Sequence, residues 1–270
     1  MMGKMKIGVF DSGLGGLVIL RALIRMLPQY DYVYFGDTLH MPYGEKSPSA
    51  ITKYTQESVG FLFRQNCALV IIACNTASAT ALKHLQQQYL PKNYPDRRIL
   101  GVVVPTLEAV VSQQKKGVIG ILATNATVRS KAYPRELRKL SLKDSIIQIA
   151  ASELVPIIES NNRPAMNQLI RNYARKFRDF KTKTVVLACT HFPVIVKSLK
   201  RQIASGTTVL SQEEIIPKKL AEYIRRHPEL EAQLSRKGRK EFFITKRMPR
   251  YKKIAKSWFG GTISLKTARP

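Results

Sequence analysis

Short runs of β-branched and other apolar residues recur along this chain, each followed by a polar turn and then a segment of helical periodicity. Residues 7–10, 32–35, 68–73, 99–104, 118–122, 146–150 and 184–187 read as strands, and 17–27, 51–65, 76–89, 106–114, 124–140 and 165–177 as helices. Apolar runs without a polar alternation belong to strands covered on both faces, and strands separated by helices pair in parallel through crossovers. The sequence therefore predicts an α/β fold with mainly parallel sheets flanked by helices.

The pattern comes twice. Gly8-Val9-Phe10-Asp11-Ser12 is echoed 112 residues later (8 to 120) by Gly120-Ile121-Leu122-Ala123-Thr124. The runs ending at Cys74 and Cys189 stand 115 residues apart (74 to 189). Near-constant spacing implies a duplication, and hence two pseudo-symmetric lobes with equivalent strand tips facing a cleft between them. A Pro- and Arg-containing break at 91–98 sets the expected division: residues 1–98 with a returning tail, 211–270, as the N-terminal lobe, and 99–210 as the second. The tail reads as a helix from Gln212, a strand at 241–245, a helix at 251–259 and a loose terminus from 260 to 270.

With 270 residues, 44% hydrophobic and 23% charged, the chain can bury a sizeable core. No run approaches the roughly 20 apolar residues of a membrane span, and the first apolar run stops at Asp11, too short for a signal-peptide core. Three cysteines, Cys67, Cys74 and Cys189, without a Cys-x-x-Cys predict neither a disulfide framework nor a zinc site. Reduced thiols and the absence of such segments point to the cytoplasm. The net charge of +27 is uneven, with 14 Lys/Arg against three acids in residues 225–270. Such a C-terminal region is expected to attract polyanions, nucleic acid included, weakly and in a salt-dependent way.

A strand tip feeding a helix is where α/β proteins place their chemistry. Cys74 and Cys189 occupy such tips, in Ala73-Cys74-Asn75-Thr76 and Ala188-Cys189-Thr190-His191. A helix N-terminus favours the thiolate, with Asn75 and Thr76 as cap-type side chains and Pro193 suited to a first turn. One cysteine after an apolar run is usually a small buried hydrophobe. Two at matched positions suggest a proton removed on one side of a pocket and returned on the other. Cys67 sits at a helix-to-strand junction with no polar turn and reads as structural. Asp11 and Ser12 end the first strand, where a carboxylate could meet an ammonium or cap the next helix. Gly13, Gly15 and Gly16 do not make a G-x-G-x-x-G fingerprint. His191, two residues after Cys189, is placed to relay that thiol's proton or to donate to a carboxylate.

Together these segments resemble the glutamate racemase family of the cofactor-independent Asp/Glu racemase superfamily. The resemblance rests on Phe10-Asp11-Ser12-Gly13-Leu14-Gly15-Gly16, Pro42-Tyr43-Gly44, Ala73-Cys74-Asn75-Thr76 and Cys189-Thr190-His191-Phe192-Pro193, in order between about residues 6 and 200. Weaker matches are Leu122-Ala123-Thr124-Asn125-Ala126-Thr127 and Val155-Pro156-Ile157-Ile158-Glu159. It implies an isomerase that interconverts L- and D-glutamate with no cofactor or metal, supplying D-glutamate for peptidoglycan and so for cell-wall biogenesis and cell shape. It implies Cys74 and Cys189 as proton donor and acceptor, with Asp11, His191 and Glu159 assisting. Asp11, Ser12, Tyr43, Gly44, Asn75, Thr76, Thr190 and His191 would contact the substrate, and a homodimer is implied as well. Aspartate racemases share strand-tip cysteines, and a basic nucleic-acid-associated protein retaining the fold is the alternative of another class. The chain departs from the family pattern at Ala188, at Leu210-Ser211-Gln212 and at Thr245-Lys246-Arg247.

Overall fold

A computed structural model describes residues 4–113, 116–140 and 145–270. The chain opens with β1 (Lys6–Asp11), α1 (Gly16–Met26), β2 (Tyr32–Gly36), a 3-10 turn (Tyr43–Glu45), α2 (Pro48–Arg64) and β3 (Cys67–Ile72). It continues with α3 (Asn75–His84), which passes through a π-turn (Leu85–Tyr89) into α4 (Leu90–Asn93), and then β4 (Arg98–Gly101). Every residue of β2 and β3 is buried, which is why these strands read as unbroken apolar runs. The second round comprises α5 (Val103–Ser112), β5 (Ile119–Ala123), α6 (Asn125–Ser130), α7 (Ala132–Lys139), β6 (Ile146–Ala150) and α8 (Leu154–Glu159). It closes with α9 (Arg163–Asp179), β7 (Thr184–Ala188), a 3-10 turn (Phe192–Ile195), α10 (Val196–Lys200) and β8 (Thr208–Ser211). The tail adds α11 (Gln212–Arg226), α12 (Pro228–Glu231), β9 (Lys240–Ile244), α13 (Pro249–Phe259) and β10 (Leu265–Thr267).

Two wholly parallel sheets result, of order β10-β9-β2-β1-β3-β4 and β6-β5-β7-β8. The order β2-β1-β3-β4 recurs as β6-β5-β7-β8, so the repeat seen in the sequence is a repeat of topology, with Cys74 after β3 and Cys189 after β7. One hydrophobic cluster runs through both sheets, from Ile7 and Tyr34 through Leu107, Ile121 and Val186 to Ile215, Ile244 and Tyr251. A second, under α2 and α3, gathers Phe10, Phe35, Ile51, Leu62 and Ile72 on the other face of the first sheet. No helix among the described residues is long and apolar enough to cross a membrane.

Four local readings are corrected. The strand placed at 99–104, at the head of the second round, is β4, and it pairs with β3 (Ile99 beside Val70), so the first sheet extends to Gly101. Its second half, Val103 onward, is already helix α5; Gln114, read as that helix's end, lies outside the described residues. The helix expected over 124–140 is two, broken at Lys131, whose φ of 51° ends α6 and redirects the chain. β8 was not foreseen, and the terminus is not loose: β10 adds to β9 with Lys266 opposite Phe243. A three-residue edge strand carries too little periodicity to be read from sequence.

Candidate active site

The C-terminal ends of β1, β3, β5 and β7 converge, which is where parallel strands leave a crevice. The cavity there, of about 330 Å³, draws its walls from both sheets. Ser12, Tyr43, Gly44, Cys74, Asn75 and Thr76 come from the first, and Thr190, His191, Cys189 and Glu159 from the second. Every candidate substrate-contacting residue except Asp11 lines it.

Asp11 lies beneath the wall. Fully buried, it accepts hydrogen bonds from Gly13 N (3.0 Å) and Thr190 Oγ1 (3.1 Å), which ties the β1 turn to the β7 turn. Burial raises its carboxyl above the usual range, opposed by the charge of His191 and by these hydrogen bonds. Asp11 thus stands directly behind the cavity wall, joined to it through Thr190 and Gly13. Gly15 and Gly44 let the two halves approach this closely. A Cβ at Gly15 would collide with the Thr190 hydroxyl and lie 2.7 Å from His191 Nδ1, and one at Gly44 would lie 2.9 Å from Thr124 Cβ.

The two thiols have different surroundings. Cys74 is itself the N-cap of α3, its Sγ accepting from Ala77 N (3.4 Å) and donating to Ser12 Oγ (3.2 Å). Asn75 and Thr76 are the first helical residues rather than caps. Burial pushes the Cys74 thiol up to about 12, with Asp11 adding to the effect and the two hydrogen bonds opposing it. The expected lowering by the helix N-terminus is thus outweighed by desolvation. Cys189 precedes only a 3-10 turn capped by His191, so no α-helix begins behind it. Its neighbour is instead the imidazole, with Nδ1 3.8 Å from Cys189 Sγ and Nε2 3.0 Å from Glu159 Oε1. Burial works against charge on His191, but the contacts with Cys189 and Glu159 prevail and carry it up to about 10. At neutral pH the site therefore holds a thiol at Cys74 on one side and an imidazolium beside Cys189 on the other. Cys67, fully buried and likewise pushed up to about 12 by burial, is remote from the cavity lining, as expected of a structural residue.

Several wall residues escaped the sequence reading. Thr124 caps α6 and shares a hydroxyl cluster with Thr76 (2.8 Å) and Thr127 (3.0 Å). It is the counterpart of Ser12 in the duplicated motif, a signal that was available. Ser152 and Glu153 line the floor, and Asn125 Nδ2 donates to Glu45 Oε1 (2.9 Å) at the rim. Behind the wall, Asp37 receives the Tyr43 hydroxyl (2.7 Å), pairs with His40 (2.9 Å) and accepts from Thr245 Oγ1 (2.9 Å). Gln212, at a position where the chain departs from the family pattern, exchanges amide hydrogen bonds with Asn75 (2.7 and 2.8 Å). Trp258 of α13 stands edge-on to His191, ring centroids 5.1 Å apart.

The profile of the Asp/Glu/Hydantoin racemase family matches residues 15–215. The glutamate racemase of Cereibacter sphaeroides is 36% identical over 258 residues, covering 91% of this chain and 93% of that protein. Among solved structures, glutamate racemase isoform RacE1 of Bacillus anthracis superposes with a TM-score of 0.88 at 27% identity, over 98% of this chain and 97% of that one. The glutamate racemase of Francisella tularensis in complex with D-glutamate gives 0.87 at 26%, with the same coverage.

Proposed function

From the chain's membership of the Asp/Glu/Hydantoin racemase family, as an amino-acid racemase, we propose that it interconverts L- and D-glutamate by proton transfer between two cysteines at Cα. The observation that carries this reading is that Cys74 of the first sheet and Cys189 of the second line one cavity. A Cα–H is a very weak acid, so the carbanionic transition state must be met by groups fixed in advance in a water-poor cleft. Backbone N–H groups at the Asn75-Thr76 and Thr190-His191 turns are available to the α-carboxylate.

In one direction Cys189, as the thiolate beside the His191 imidazolium, takes the Cα proton, and the electron pair left on carbon takes the proton of the Cys74 S–H from the other face. The product is the enantiomer, with Cys189 now thiol and Cys74 thiolate. The reverse direction starts from that second state, so the two sulfurs hold one proton between them in either direction. Ser12 receives the Cys74 proton's hydrogen bond at rest, and Glu159 holds the imidazole. Asp11 acts through Thr190. The product D-glutamate would serve peptidoglycan synthesis.

The test is exchange at Cα. In D2O the protein should incorporate α-deuterium into L-glutamate while the optical signal decays to zero, with aspartate a poor substrate. Cys74→Ala and Cys189→Ala should each stop racemisation, each removing base function for a different enantiomer. Deuterium entry with either single variant into both enantiomers would overturn the two-thiol scheme, and preference for aspartate would overturn the substrate. Restored growth of a D-glutamate-requiring bacterial strain checks the cellular role.

A further inference from the structure

From residue 232 to the end the chain holds twelve Lys/Arg against a single acid, Glu241, whose carboxylate is already engaged by Lys6 (2.6 Å) and Lys266 (3.7 Å). Most of this charge is displayed on and around α13. Arg250, Lys252, Lys253 and Lys256 are all exposed, and among the described residues no carboxylate lies within 4.0 Å of any of them. A concavity of about 280 Å³ joins this helix to the segment before β10, lined by Arg247, Lys252, Thr262 and Ser264 among others. Lys246 and Arg247 flank it in the β9–α13 turn, and Lys266 lies on β10.

The shape of this surface discriminates among anionic partners. The apolar side of α13 (Tyr251, Ile254, Ala255 and Trp258) is consumed by the core, which leaves no face to insert into a lipid headgroup layer. None of the aromatic residues in 232–270 is exposed, so there is no platform for stacking unpaired bases. The exposed large hydrophobic residues, Met26, Leu39, Val104, Phe180 and Val194, all lie outside this segment, and a protein interface ordinarily has an apolar core. What remains is an array of point charges and hydroxyls, suited to a regular line of phosphates. We propose that the α13–β10 face binds the phosphate backbone of double-stranded nucleic acid without reading its sequence. This surface function is separate from the cavity and independent of the racemase reading.

The test uses the full chain and a fluorescent 30-base-pair DNA duplex of arbitrary sequence, with anisotropy followed from 50 to 200 mM monovalent salt. Contact with about five phosphates gives a log–log slope of about −4.5, a loss of roughly 500-fold across that range. K252E/K253E/K256E should weaken binding at least tenfold at 50 mM and make the slope shallower by about 3. The equal charge reversal R163E/R171E/R175E on α9 should change it less than threefold. Both variants should keep wild-type racemase kinetics, showing that the fold is intact. If reversal unfolds α13, K253Q/K256Q should still lose about threefold. Equal losses from the two triple variants would mean diffuse charge alone and overturn the proposal. So would unchanged binding by the α13 variant, or tighter binding to phosphatidylserine vesicles or polyglutamate than to the duplex.

Discussion

The imidazole of His191 is held between Cys189 Sγ at 3.8 Å and Glu159 Oε1 at 3.0 Å, and Trp258 closes its edge. Raised from 6.5 to about 10, its proton contributes stability that is fully present below pH 6.5 and lost as pH climbs through 10. The difference in urea-unfolding free energy between wild type and His191→Asn should accordingly shrink across that window. The same substitution should lower kcat/KM by about 10²–10⁴-fold, the usual weight of a positioned acid–base group. Gly15→Ala drives a methyl group into Thr190 and His191, and a displacement of about an ångström there should cost roughly 10²-fold in kcat/KM, with about 1–3 kcal/mol lost to overpacking in a urea titration. The two cysteines and His191 were legible because each is part of a local motif at a strand tip, and Pro42-Tyr43-Gly44 because it is a compact turn motif in the loop after β2. Gln212 and Trp258 were not, since each acts through a partner tens to hundreds of residues away that no local pattern announces, and Asp37 was not because a lone carboxylate six residues before Tyr43 forms no motif. Asp11 was legible as a carboxylate at a strand tip, but its hydrogen bonds from the Thr190 hydroxyl and the Gly13 amide were not, since the first spans 179 residues.

At the scale of elements, the duplicated strand order explains both what was readable and where the reading slipped. β1, β3, β5 and β7 are central and buried on both faces, so their apolar runs stand out. β4, β8 and β10 lie at sheet edges, are only three or four residues long, and take their place from the strand they join. The break between α6 and α7 is made by a lysine in the left-handed region, a conformation that costs a non-glycine residue about 1–2 kcal/mol. Lys131→Gly should raise stability by about 0.5–1 kcal/mol, part of the gain being returned by the freer unfolded chain; a chevron or urea titration checks it. At the start of α11, Gln212→Ala leaves the Asn75 amide short of a buried partner and should cost about 1–3 kcal/mol, readable in the same titration.

For the whole molecule, the cluster that runs from β1 through α5, β5 and β7 to α11 and β9 makes the two sheets one hydrophobic body. Calorimetric unfolding should therefore be a single transition, and glutamate at 100 times its Kd should raise its stability by about 2.7 kcal/mol; two resolved transitions would show the sheets to be independent. The duplication has a further consequence. Two copies of a right-handed unit are related by rotation, never by reflection, so a cleft built from them cannot present mirror-image walls to mirror-image molecules. Here the inequality is concrete, Ser12 beside one thiol and His191 beside the other. Yet enantiomers have equal free energies in water, so the ratio of their kcat/KM values must be one however unlike the walls are. The asymmetry is confined to how each kcat/KM divides: the enantiomer that binds more tightly must turn over more slowly, by the same factor.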